Sequence, residues 1–226
     1  MKKRTISSEL SYIFGLIFIA IGVAFAARAD LGVSMLVAPA HAIHLKIEEF
    51  THSITLGMVE FGFQVALLLI MILILRKFKL SYLWSFVTTL IYGVILDTIM
   101  LGTNLIPTQN FMIRILLFIL GIIFTSVGVA LMFRTYIAPQ IYELLVIEIS
   151  EKFHLNVHKF KTWFDCCFLI LAIVLECIFF GLWSFRAVKI GTIIIAITNG
   201  TLIAISGKFL DKHFNFERKL KNHKKI

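Results

Sequence analysis

Six apolar runs, each long enough to cross a lipid bilayer, constrain the fold of this 226-residue chain more than any other feature. A helix needs roughly 20 apolar residues to span the hydrocarbon core. Hydrophobic residues make up 59% of the chain and charged residues only 15%, which is not the balance of a soluble domain. We therefore predict an all-α polytopic membrane protein, with residues 1–226 forming a single transmembrane domain. The predicted spans are Ser11–Ala29, Leu56–Leu75, Leu83–Leu101, Phe111–Phe133, Phe164–Leu182 and Val188–Ile205.

The positive charges predict how these spans are oriented. With the amino terminus inside, 17 of the 22 Lys and Arg residues fall in cytoplasmic segments, which is the bias expected of the inner side of a membrane. Seven of them lie in a basic tail, residues 206–226, where they can contact anionic lipid head groups. The net charge of +9 therefore indicates topology, and no nucleic-acid partner is expected. We predict a multi-pass protein of the bacterial plasma (inner) membrane with both termini cytoplasmic.

One helix sequence occurs twice in the chain. GLIFIAIGVAFAAR, residues 15–28, and GIIFTSVGVALMFR, residues 121–134, are identical at seven of fourteen positions and lie 106 residues apart. Each copy starts a set of three spans, and three is an odd number, so the second set must enter the membrane from the opposite side. This pattern predicts an inverted 3+3 repeat, about residues 11–101 and 111–205, a common construction among secondary transporters.

The glycines of the repeated helix predict close helix packing. Gly15 and Gly22 in the first copy correspond to Gly121 and Gly128 in the second. Small residues let helix backbones approach each other in a medium where apolar side chains gain little by associating. The first and fourth spans are therefore expected to lie in the middle of the bundle.

Each copy is followed by a segment of unusual composition. These segments, residues 29–50 and 135–160, are too polar to span and too apolar for ordinary loops, and Pro39 and Pro139 interrupt them. Non-helical backbone at membrane depth is tolerated only where protein or a cavity satisfies its polar groups. We predict interfacial or re-entrant helices after spans one and four, on opposite sides of the membrane.

Several short motifs are similar to those of a known group. The pattern Gly-x₆-Gly-(Val/Ile)-Ala followed by Ala-Asp-Leu-Gly, residues 29–32, resembles the YczE/YitT group of bacterial integral membrane proteins. Gly93 with Asp97, Asp165 early in span five, and Gly191-Thr192 at the start of span six also match it. Met35-Leu36-Val37 departs from the Pro-Trp-Asp expected in the group. The resemblance implies a polytopic helical fold and, because the group has no settled biochemical activity, it implies no particular function.

Ionisable and polar residues inside spans are costly and are candidates for function. Asp97 is interpreted as the deepest such residue of the first half and as a working residue that favours a cationic solute or a coupling proton. The alternative is a structural acid–arginine pair that locks two helices together. The full set of substrate or coupling-ion candidates is Asp97, Glu60, Gln64, Asp165, Glu143, Tyr142, Arg28 and Arg134.

Other chemistries lack their signatures in this sequence. Histidine pairs at helical spacing match no zinc motif, so neither a metal nor another cofactor is predicted. Cys166, Cys167 and Cys177 are interpreted as apolar fillers of span five. There is no Gly-x-Ser-Gly nucleophile with a later intramembrane histidine and no phosphate-binding loop. The chain is therefore not expected to be an enzyme.

These features favour a transporter of a small solute or ion that works by alternating access. Two alternatives remain open: a substrate-capturing subunit of an energy-coupled uptake system, and a non-transporting membrane scaffold or sensor. The expected partners are membrane lipids, the small solute or ion and, in one arrangement, a second copy of the chain as a homodimer. A polar cavity between spans one, three, four and six would favour transport, whereas a dry and filled interface would favour a scaffold.

Overall fold

A computed structural model describes residues 4–181 and 186–217 of the chain. In these residues there are eight helices and two short strands. The helices are α1 (Ser8–Ala29), α2 (Ala38–Glu48), α3 (Leu56–Leu75), α4 (Ser81–Thr103), α5 (Phe111–Met132), α6 (Ile141–Lys152), α7 (Val157–Phe180) and α8 (Ile190–His213). The strands are β1 (Arg4–Ser7) and β2 (Phe214–Glu217), which pair in parallel and join the two ends of the described chain.

Six of the helices, α1, α3, α4, α5, α7 and α8, are long and apolar enough to cross a membrane. The predicted all-α fold with six spans is therefore confirmed, and the boundaries of four spans agree to within a few residues. Two boundaries were wrong. The helix of span five begins at Val157 rather than Phe164, and α8 continues past Ile205 to His213, so the first part of the predicted tail is helical. Residues 182 and 218–226, which the prediction included, lie outside the described residues.

The centre of the bundle is the antiparallel pair of α1 and α5, which pack together more extensively than any other two elements. A Cβ atom built on Gly22 would lie 2.1 Å from Oγ1 of Thr125 and 2.6 Å from the carbonyl oxygen of Gly121. One built on Gly128 would lie 2.8 Å from the carbonyl oxygen of Gly15. Real Cβ atoms do not approach other atoms this closely, so the two backbones can meet at this distance only because these positions are glycines.

The two ends of the bundle differ in their ion pairs, and we name each after one residue. At the Asp30 end, where α1 ends, Asp30 contacts Arg114 at the start of α5 and Lys189 before α8. At the Arg134 end, where α5 ends, Arg134 pairs with Asp211 of α8 at 2.6 Å. The α5 and α8 helices therefore both begin at the Asp30 end and finish near the Arg134 end.

The short helices α2 and α6 each start inside the bundle and return to the end from which their segment entered. The α2 helix begins in the apolar cluster that contains Ala172, and its Lys46 lies over the ring of Phe180, the last residue of α7. The α6 helix begins where the hydroxyl of Tyr142 bonds Glu60 of α3, and its Lys152 donates to the carbonyl oxygen of Ile74 near the end of α3. Both segments thus have the re-entrant form that their composition predicted, from opposite ends of the bundle.

Candidate solute-binding cavity

A cavity of about 270 Å³ lies in the middle of the bundle. Its wall comes from α1, α3, α4, α5, α6 and α8, together with the non-helical stretches that lead into α2 and α6. Most of the exposed wall is apolar, and a limited set of polar side chains converges on the space, as in sites for small ligands. The polar residues of the lining are Ser34, Glu60, Tyr92, Thr125, Thr135, Gln140, Tyr142, Glu143 and Asn199.

The cavity exists because two stretches of backbone enter the bundle without being helical. Residues 30–37 bring Ser34, Leu36 and Val37 to the cavity from one side, and residues 133–140 bring Ile137, Pro139 and Gln140 from the other. Gln140 is the cap residue of α6 and makes no side-chain bond to that helix. The first turn of α6, with its positive dipole end, therefore faces the same space as the polar side chains.

The cavity extends towards the Arg134 end of the bundle. Its lining includes Met132, Phe133 and Thr135, which follow one another where α5 ends. Towards the Asp30 end the lining stops at Val23, Ser34 and Asn199. Beyond them the amide of Gly191 donates to the carbonyl oxygen of Leu31 at 2.9 Å, and Asp30 holds the starts of α5 and α8. The exposed residues of the lining, Phe133 and Ile147, therefore lie at the Arg134 end, and the contacts of Asp30 and Gly191 lie beyond the cavity at the other end.

Glu60 is the most unusual group in the wall. Its side chain is 1% exposed, Oε1 accepts a hydrogen bond of 3.1 Å from the Tyr142 hydroxyl, and Oε2 has no partner among the described residues. No Lys, Arg or His belongs to the described lining. A carboxyl group buried away from cations has two stable states, because it must either carry a proton or hold a cation that is not part of the chain.

Gln64 and Glu143 extend this polar site in two directions. Gln64 follows Glu60 by one turn of α3, is fully buried, and accepts a bond of 3.1 Å from the hydroxyl of Thr89. Glu143 lines the cavity from the first turn of α6, next to Tyr142. The cation that acts on Glu143 is Lys161 of α7, which itself pairs with Asp165 at 3.1 Å. Three of the sequence candidates, Glu60, Tyr142 and Glu143, therefore meet at the cavity, with Gln64 beside them.

Asp97 has a different position from the one predicted. It is only half-buried, whereas Glu60 is completely buried, so Glu60 is the more enclosed acid of the two. Its Oδ2 accepts from the hydroxyl of Thr55 at 2.6 Å and its Oδ1 from the amide of Gly57 at 2.7 Å. These are the bonds of a side chain that caps the start of α3. The space beside Gly93, expected to admit a ligand, is filled by the backbone of Gly57.

The two candidate arginines bind helix ends rather than the candidate acids. Arg28 donates to the carbonyl oxygens of Ile106, at 2.6 Å, and of Asn104, at 3.1 Å, just after α4. Arg134 donates to the carbonyl oxygen of Gly207 and to the carboxylate of Asp211 in α8. Neither of them, nor Asp165, belongs to the cavity lining. Cations near helix C-termini stabilise the exposed carbonyl groups, so both arginines fix the ends of spanning helices.

Six polar residues of the cavity were not among the sequence candidates: Ser34, Tyr92, Thr125, Thr135, Gln140 and Asn199. Ser34 and Gln140 lie in the two non-helical stretches, Ser34 five residues before Pro39 and Gln140 directly after Pro139. Asn199 is a polar residue in a span, where polar groups are rare, and could have been singled out on that ground. Tyr92 is adjacent to Gly93 but carries no comparable signal, because tyrosine is common in spanning helices.

The fold defines the class of protein to which this chain belongs, a polytopic helical membrane protein whose spans surround an internal cavity. The chain is a member of the family of unknown function DUF6198, which it matches over residues 6–208. No curated protein and no solved structure matches the chain. The more specific resemblance to the YczE/YitT group stays a prediction.

Proposed function

We propose that this protein is a transporter of a small solute or ion in the bacterial inner membrane and that it works by alternating access between two inverted halves. The observation that carries the proposal is the cavity of about 270 Å³, which lies between the two helix sets and has its exposed lining residues at one end of the bundle. It lies against spans one, three, four and six, as a transport site was expected to do, and span two contributes Glu60.

The contacts between helices support the inverted repeat. Gly121 and Gly128 lie 106 residues after Gly15 and Gly22 and are their counterparts in the second half. Gly15 packs on Gly128. When each residue is replaced by its counterpart in the other half, this contact becomes a contact between Gly121 and Gly22, which is also observed. Two contacts that interchange in this way are what a two-fold axis between α1 and α5 requires. In many transporters such an axis lies in the membrane plane.

Further contacts between helices follow the same exchange, whereas the packing of α3 on α4 has no comparable counterpart between α7 and α8 in the described residues. The first short helix, α2, packs on α7, and the second, α6, packs on α3. Likewise α1 packs on α4 and α5 packs on α8. Arg28 binds the end of α4, and Arg134, its counterpart, binds the end of α8. Each half therefore has the parts of the other in inverted order, with the cavity between them.

The charge pattern assigns the two ends of the bundle to sides of the membrane. Arg76, Lys77 and Lys79 lie between α3 and α4, at the Arg134 end. Because short basic loops remain in the cytoplasm, we place the Arg134 end there. The cavity then faces the cytoplasm, and the Asp30 network closes it on the outside.

The two alternatives make different use of the same fold. A scaffold or sensor has no need of an internal cavity on which polar side chains converge, and nothing in the cavity requires catalysis. A substrate-capturing subunit would bind its ligand at the outer face and would depend on a partner ATPase. The cavity lies deep between the halves, and its exposed lining residues are at the Arg134 end rather than at the outer face, so transport by this chain itself fits the geometry better.

Accessibility of Ser34 from the two sides of the membrane tests the proposal. In a variant with Cys166, Cys167 and Cys177 replaced by serine, Ser34→Cys should react with a membrane-impermeant maleimide in both inside-out and right-side-out vesicles. The reason is that alternating access exposes the cavity to each side in turn. Reaction from one side only, whatever the conditions, would contradict alternating access.

Three control variants make the result interpretable. Glu49→Cys, at the Asp30 end, should react only from outside, and Lys77→Cys, at the Arg134 end, only from the cytoplasmic side. Ala172→Cys should react from neither side, because Ala172 is completely buried and does not line the cavity. If Glu49→Cys and Lys77→Cys react from the same side, the assigned topology is wrong.

A further inference from the structure

We infer that Glu60 is an exchange site at which a proton and a small organic ammonium ion compete for the same carboxylate. The inference rests on the proposed function, since it names the class of solute that the cavity takes. Its evidence is the surroundings of Glu60, together with the size and the chemistry of the wall.

The hydrogen bonds of Glu60 leave half of the carboxyl group available. Oε1 is occupied by the hydroxyl of Tyr142 at 3.1 Å, whereas Oε2 has no partner among the described residues although the side chain is 1% exposed. Leaving a buried acceptor unpaired costs free energy. A proton on Oε2, or a donor on a bound molecule, removes that cost.

The neighbours of Glu60 do not supply the missing charge. The groups that act on it are Gln64, one turn along α3, Tyr142 and Glu143 from α6, and Tyr92 from α4. None of them is a cation, and Glu143 adds a second acid to the same wall. The α2 helix also packs on α3, but the charged partners of His41 and His44 are other groups, namely Asp30, Glu48, Asp97 and Lys189.

The wall suits an organic cation better than a metal ion. Hard metal ions require six or more oxygen ligands at short distance, whereas most of the exposed wall is apolar. An ammonium group can donate to Oε2 of Glu60, and the wall includes Tyr92 and Tyr142, whose aromatic rings are of the kind that attract cations. Side chains such as Ile19, Val129 and Met132 are left for an alkyl body. A cavity of about 270 Å³ is near the lower end of ligand sites, roughly 300–1,000 Å³, so the solute is small.

The exchange step conserves atoms and charge. In the empty site the O–H bond of the protonated carboxyl group neutralises Glu60. When an alkylammonium ion enters, this O–H bond breaks, the proton passes to water in the open cavity, and its electron pair stays on the carboxylate. An N–H group of the ammonium ion then donates to Oε2. One proton leaves for each single positive charge that binds, so the site is never left with an unpaired charge.

Labelling with dicyclohexylcarbodiimide, which modifies protonated carboxyl groups in apolar surroundings, tests this assignment on the purified full-length protein. Mass spectrometry should locate the label on Glu60. Butylammonium should suppress it about tenfold at concentrations ten times above its Kd, since the two ligands compete by mass action. Butanol and butyrate, which have the same alkyl chain and no positive charge, should leave it unchanged. Asp165→Asn should label as the wild type does, because Asp165 pairs with Lys161 outside the cavity.

Several results would overturn the inference. These are the absence of label on Glu60, label that butylammonium does not reduce, and equal protection by butanol. The main measurement uses the wild-type chain, so it does not depend on whether Glu60→Gln folds, and that variant serves only to confirm the labelled position.

The outcome is separable from that of the proposed function. Two-sided reaction of Ser34→Cys without label on Glu60 would overturn the exchange site alone. A Glu60 label protected by butylammonium, with Ser34→Cys reacting from one side only, would overturn alternating access and leave a cation-binding site.

Discussion

Replacing Gly22 with alanine is expected to destabilise the protein strongly, although it adds only one methyl group. The new Cβ would lie 2.1 Å from Oγ1 of Thr125 and 2.6 Å from both the carbonyl oxygen of Gly121 and the amide nitrogen of Thr125. The hydroxyl can rotate away but the two backbone atoms cannot, so α1 and α5 must separate. Overpacking of this kind costs about 1–3 kcal/mol, and we expect the upper part of that range, measured as thermal unfolding in detergent.

Gly62→Ala is the matched control for this variant. Gly62 lies in a spanning helix, α3, and a Cβ atom built on it would meet no atom within 4 Å. We expect its unfolding temperature to equal or exceed that of the wild type, because alanine favours helix more than glycine does. Similar unfolding temperatures for Gly22→Ala and Gly62→Ala would contradict the close packing of α1 on α5.

Replacing Asp97 with alanine should reduce stability and leave the cavity functional. The change removes the carboxylate that accepts from the hydroxyl of Thr55 and from the amide of Gly57. Loss of a cap, with an unpaired donor left behind, costs about 2 kcal/mol. The two-sided reaction of Ser34→Cys should persist at temperatures where the variant is folded, because Asp97 does not line the cavity.

Thr98→Ala is the control for Asp97, since Thr98 is the next residue, is exposed, and bonds only within its own helix among the described contacts. It should unfold at the temperature of the wild type. The opposite pattern for Asp97→Ala, with normal unfolding and Ser34→Cys reacting from one side only, would restore Asp97 as a working residue.

The spans could be predicted from the sequence because each one depends on a local property. Length and hydropathy are sufficient to identify a helix that crosses a bilayer, and the six predicted runs correspond to six observed helices. The ends of α7 and α8 were harder to place. Both helices extend beyond the bilayer-sized apolar run into polar sequence, and α8 is followed directly by β2, whose partner β1 lies at the other end of the described chain.

The candidate site could be predicted only in part, because it depends on contacts between distant residues. Glu60 and Tyr142 are 82 residues apart, and no local pattern connects them. The rarity of ionisable residues in spans was enough to select Glu60 but could not rank it above Asp97. That ranking depends on where α3 begins: its first turn lies against Asp97, and Glu60, one turn further, points into the cavity.

The central claim is that the cavity opens at one end of the bundle when it closes at the other. Distances between spin labels measure this directly, with Leu105→Cys and Ile190→Cys at the Asp30 end and Lys77→Cys and Phe209→Cys at the Arg134 end. All four positions are exposed, and each pair joins one half to the other. Asp30→Asn weakens the contacts to Arg114 and Lys189 that close the Asp30 end, and it should shift the population towards the outward-open state. We predict that the distance at the Asp30 end becomes longer and the distance at the Arg134 end becomes shorter. Alternating access would be contradicted if both distances stayed unchanged or if both became longer.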